Sequence, residues 1–261
     1  MCMVVSILIH ILSIFVLSVQ ADYPLRDGRP TSEGIREYVE DNADSLIRQY
    51  EQFIGDTLYN VWIYTGDLTR HGIADTIELG FYYSDEIHIS DAELFYAYEL
   101  KDLPRYLRAS AKRDNRFVKS TILHELSHDY FAQVAWEMVG VDSVHVDRAF
   151  MPYVWVLREH ESFGSRFIEE GICEYIVEKM GEVIAQKKPR APRSIEELTS
   201  KENEYMMMYR YSAYFLKDFL DQKGFKQGLK ILAHNPPPRY DEILNPDRYF
   251  NRLKEPVPLS R

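Results

Sequence analysis

The stretch Thr121-Ile122-Leu123-His124-Glu125-Leu126-Ser127-His128 decides how this chain is read. It sets two histidines four residues apart, with a glutamate directly after the first. The surrounding segment, 115–138, has the three-and-four apolar spacing that predicts a long helix ending at Gly140. On a helix, positions i and i+4 share one face a turn apart, so His124 and His128 can hold a single zinc ion. Glu125 lies one residue round, near enough to touch a water on that ion without binding the ion itself. A catalytic zinc takes a third protein ligand and keeps a fourth position open. The bland alternative is a pair of surface histidines on an amphipathic helix. The apolar Val118, Ile122 and Leu123 that lead into the motif argue against it.

The third ligand has to come from further along. A metzincin would need Gly and His at 131 and 134, where this chain has Phe131 and Val134. The next acidic cluster is Phe167-Ile168-Glu169-Glu170-Gly171-Ile172-Cys173-Glu174-Tyr175, in a segment (163–180) that again reads as helix. With HELSH upstream, this Glu-Gly helix resembles that of the gluzincin metallopeptidases. The resemblance implies a zincin-like α+β fold, zinc-dependent hydrolysis of peptide bonds, and Glu170 as the third zinc ligand. Gly171 is expected to let two helices approach closely, as a carboxylate needs in order to reach a metal on a facing helix. The competing reading makes Glu169, Glu170 and Glu174 a solvated helix face.

The same resemblance makes Glu174 the residue that orients a zinc-binding imidazole, His124, with Asp129 as competitor. Cys173 lies about 60° round the helix from Glu170. Its thiol could ligate zinc, but it stands where the family has a small residue, so a buried small hydrophobe is expected. Related enzymes support the reaction's oxyanion with a tyrosine on a later helix. Tyr209 fits that pattern best, with Tyr211 second and simple packing the alternative. The aminopeptidase branch carries Gly-x-Met-Glu-Asn ahead of its zinc helix, and nothing like it occurs between residues 60 and 120.

The rest of the chain fits a globular zinc enzyme. Of 261 residues, 31 are Lys or Arg and 41 Asp or Glu, a formal charge of −10. So acidic a balance excludes the basic footprint that nucleic acid requires. Met1 to Ala21 has no charged residue and ends Val19-Gln20-Ala21, which reads as a signal peptide for a secreted or periplasmic protein; an uncleaved anchor is the alternative. After that segment a single cysteine remains, Cys173, so no intrachain disulfide is expected.

An amphipathic helix is expected at 32–54, capped by Thr31 or Ser32, and strands at 60–65, 77–84 and 86–90, as antiparallel neighbours. Helices follow at 203–222, stopped by Gly224, and at 225–234, with short helical turns over 240–252. Helix, then strands, then helices favours α+β with a small, mostly antiparallel sheet packed on the zinc helix and a helical C-terminal lobe. The expected division is an N-terminal α/β lobe, 22–114, and the zinc helices with the C-terminal lobe, 115–261. Residues 86–90 are expected to be the edge strand that pairs with a peptide. His71, His88, His145 and His160 read as locally satisfied, and Lys187 to Arg193 as a solvated mobile linker. The partner implied is a peptide or protein substrate. A non-catalytic binding module on the same fold, keeping the metal site, is the alternative class.

Overall fold

A computed structural model describes residues 25–26, 29–66, 80–83, 86–91, 116–139, 163–180, 189–201, 203 and 206–256. The expected signal peptide, the tract 141–162 and His71, His145 and His160 lie outside these residues. The chain divides into two units, residues 1–126 with 176–187 and residues 127–175 with 188–261. Two of the boundaries fall inside helices that are each continuous, α2 (Arg116–Val139) and α3 (Phe163–Lys179).

In the first unit, two short strands, β1 (Leu25–Arg26) and β2 (Arg29–Pro30), pair antiparallel and lead into α1 (Ser32–Ile54). Thr31 caps α1 by accepting the Gly34 N–H on its hydroxyl at 3.0 Å. Gly55 ends it in the left-handed region, at φ 67°, which a side chain would disfavour. Ile35, Val39, Leu46 and Tyr50 form the buried stripe that the spacing predicts. Ser32 Oγ donates to the Asp91 carbonyl at 2.6 Å, and Arg36 pairs with the Asp91 carboxylate at 3.1 Å, which ties the helix start to the end of the sheet.

That sheet corrects the antiparallel expectation. β3 (Trp62–Gly66), β4 (Gly80–Tyr83) and β5 (Glu86–Ser90) stand in the order β3-β5-β4. β5 pairs antiparallel with β4 but parallel with β3, with Tyr64 opposite His88. Only two residues separate β4 from β5, which forces a hairpin. The stretch from 67 to 85 exceeds the roughly dozen residues that a parallel crossover needs, so β3 takes the other side of β5. The strand expected to meet a peptide, 86–90, is therefore central, with both edges occupied. Ile87 and Ile89 point to the buried side. His88 is locally satisfied as expected: it meets Glu86 Oε2 at 2.9 Å and stacks on Tyr64.

The second unit is helical. α4 (Ile195–Thr199) is capped by Ser194. Of the expected mobile linker, the described residues 189–193 are anchored instead: Arg190 pairs with Glu197, and the Arg193 N–H donates to Glu197 at 2.8 Å. The helix expected from 203 opens as a π-helical segment, Met206–Tyr211, and then tightens into α5 (Ser212–Lys223). Ser212 Oγ reaches the carbonyls of Met208 and Tyr209, groups whose ordinary i+4 bonding the widened turn disturbs. This point presses on α3. A Cβ on Gly171 would lie 2.9 Å from the Ser212 carbonyl carbon and oxygen. Gly171 does permit a close helix contact, but with the start of α5. α6 (Phe225–His234), α7 (Tyr240–Leu244) and α8 (Pro246–Arg252) complete the unit around Phe167, Tyr211, Phe215 and Tyr249.

Glu242 and Arg252 lock the C-terminal helices together. Arg252 donates to Glu242 at 2.5 and 2.9 Å, reaches the carbonyls of Pro236 and Pro237, and lies over the Tyr249 ring. The Arg252 hydrogen bonds hold the Glu242 carboxyl below its ordinary value of 4.5, against the opposing effect of burial. A carboxyl lowered in the folded state stabilises fully above 4.5 and loses that contribution as pH falls through the lowered value. Glu242→Gln should cost about 2 kcal/mol at neutral pH, the scale of a charged hydrogen bond. Thermal melts from pH 7 to pH 3 should show the difference from wild type shrinking below 4.5; a constant difference would deny Glu242 this role.

Candidate metal centre

The helix α2, which carries the HExxH motif, is not a surface helix. Every residue of α2 from Ser120 to Ser127 is buried, and His124 and Glu125 are only 2% and 6% exposed. His128 is half-buried. Imidazoles and a carboxylate placed in such surroundings are costly unless they are bonded or bind an ion. The reading of a solvated amphipathic helix is therefore removed.

Helical geometry fixes His124 one turn before His128. His128 and Cys173 both belong to the second unit. One ligand atom from each of His124, His128 and Cys173 lies within 4.8 Å of the other two. Tetrahedral zinc with bonds of about 2.0 Å to nitrogen and 2.3 Å to sulfur separates such ligand atoms by roughly 3.3–3.6 Å, so the three converge to within about 1.5 Å of what the ion requires. Two nitrogens and a sulfur are donors that zinc accepts readily. The residues present therefore fit the ion.

The remaining predicted residues fall as follows. Glu170 is 3% exposed on α3, one turn before Glu174, and is not among the three grouped ligand atoms. Glu174 is also buried. Its carboxylate faces Arg210 of the π-helical segment at 3.8 Å, a partner that sequence reasoning did not name. Asp129 is fully buried, and its Oδ2 accepts from Gln133, one turn along α2. Tyr209 is fully buried beside Arg210 on the same segment. The Tyr211 hydroxyl reaches the Ile243 carbonyl at 3.4 Å. Burial, with Tyr214 adding to it, pushes that hydroxyl up to about 12, so it stays a neutral donor. Cys173 is completely buried, as expected, and its sulfur is also one of the three grouped ligand atoms.

In the first unit, β4 is laid against the start of the HExxH motif. A Cβ on Gly80 would lie 2.7 Å from Thr121 Cγ2, 3.2 Å from Glu125 Cγ and 3.3 Å from Glu125 Oε1. Only a glycine lets the strand come this near. Thr121 is β-branched and buried, so its methyl has little room to yield.

No family model, curated protein or solved structure matches the chain. Among the described residues, no helix is long and apolar enough to cross a membrane.

Gly80→Ala should therefore push β4 away from Glu125 and cost about 1–3 kcal/mol, as overpacking does. Denaturant unfolding of this variant checks the strand's approach; a neutral substitution would show that β4 and α2 are not in tight contact.

Proposed function

We propose that this chain is an exported zinc-dependent metallopeptidase of gluzincin type that hydrolyses peptide bonds. The observation that carries the reading is the buried His124-Glu125-x-x-His128 turn, with its imidazoles converging on a donor from α3 and β4 lying against its glutamate. His124 and His128 would hold the ion together with a residue of α3. The family resemblance assigns that position to Glu170.

When bound, zinc supplies Lewis acidity and brings the pKa of water down toward ~7. Glu125 takes the proton of the attacking water on its carboxylate and passes it to the leaving amine nitrogen. Tyr209 is assigned, by the resemblance, to donate its hydroxyl to the developing oxyanion. Glu174 holds its place through Arg210. The peptide backbone pairs with the outer edge of β4, since β5 is enclosed and no described strand pairs with that edge.

A binding module that keeps the metal but does no chemistry is the second reading. What favours it is the position of Cys173: four protein ligands would leave zinc no open position.

Glu125→Gln changes charge with little change of shape. It should retain one zinc per chain and lower cleavage of a mixed peptide library by at least ~10²-fold. Bound zinc with no cleavage by wild type favours the binding module. Full activity of Glu125→Gln overturns the mechanism.

A further inference from the structure

We infer that Cys173 is a zinc ligand, so that the protein donors from the two helices are His124, His128 and Cys173. This rests on the zinc reading above and replaces its third ligand. The first support is position. The Cys173 sulfur belongs to the group of ligand atoms within 4.8 Å of one another, and Glu170 does not. The side chain is completely buried, and α3 is continuous through this point, so the thiol is held in place by the helix.

Chemistry gives the second support. Two neutral imidazoles and one thiolate carry the same total charge as two imidazoles and one carboxylate, so the ion is neutralised equally well. On binding, the thiol releases its proton to solvent and a zinc–sulfur bond forms. Zinc accepts sulfur at about 2.3 Å, longer than the 2.0–2.1 Å typical of nitrogen, which suits a donor group spread somewhat beyond an all-nitrogen and oxygen site.

The third support is what surrounds the neighbouring carboxylate. Glu174, the next residue, is turned toward the Arg210 guanidinium. Cys173 is in no disulfide, and the chain's other cysteine is Cys2, within the expected signal peptide.

The test is X-ray absorption on the zinc-loaded wild-type protein, with cobalt(II) substitution read by its near-ultraviolet thiolate charge-transfer band. A sulfur neighbour at about 2.3 Å and that band are expected. Cys173→Ser should lose both and weaken zinc binding by more than the ~10–100-fold typical of residues that only support a ligand. Glu170→Gln should keep the sulfur signal. Bound metal with no sulfur neighbour overturns the assignment while leaving the zinc enzyme intact, with Glu170 as its ligand. A sulfur neighbour together with an oxygen lost in Glu170→Gln upholds Cys173 but closes the site, and so overturns the peptidase reading. Failure of wild type to bind either metal overturns both. Because the decisive spectra are taken on wild type, a misfolded Cys173→Ser does not remove the test.

Discussion

The burial of His124 and Glu125 inside α2 is the constraint from which the other features of this protein follow. A helix turn bearing two imidazoles and a carboxylate would ordinarily face water. Taking these groups out of water costs several kcal/mol unless each finds a partner. The ion proposed above, shared between the two histidines, would help to offset that cost and would need a donor from another element. Cys173 and Glu170, both buried on α3, are the groups placed to provide it. Glu174 nearby faces the Arg210 guanidinium, and one carboxylate oxygen of Asp129 accepts from the Gln133 amide.

Two glycines act as spacers around these helices. Gly80 allows β4 to lie on Thr121 and Glu125, and Gly171 allows the backbone at Ser212 to press on α3. Beside the second contact the chain departs from α-helix into the π-helical turn that carries Tyr209 and Arg210. Such turns are often found at functional sites because the extra residue redirects side chains without breaking the helix. Here it sets Arg210 toward Glu174. Ser212, bonding two carbonyls of that turn, holds the irregular backbone in place.

The helices and most of their ends were legible in the sequence because they depend on local chemistry. Thr31 and Gly224 cap or stop helices through their own side chain or its absence, and the 3.6-residue spacing names α1 and α6 almost to the residue. His124, Glu125 and His128 were legible for the same reason, since their relation to one another is internal to one helix. Which face of a helix meets which neighbour was not. Residue spacing places Glu170, Cys173 and Glu174 near one another on α3 but does not say which of them turns toward an imidazole.

What the sequence by itself determined is therefore most of the helical skeleton, though not α4, the strands β3 to β5, though not β1 and β2, and the paired histidines, all set by interactions among residues a few positions apart. Tertiary structure decided the rest. It put β5 in the centre of a mixed sheet rather than at its edge, because the parallel partner β3 comes from beyond a long connection. It placed the Cys173 sulfur, not the Glu170 carboxylate, among the histidine nitrogens. It also opened the π-helical turn where Ser212 packs on Gly171. Each of these depends on contacts between residues far apart in the chain, and neither helix period nor strand alternation carries information about such contacts.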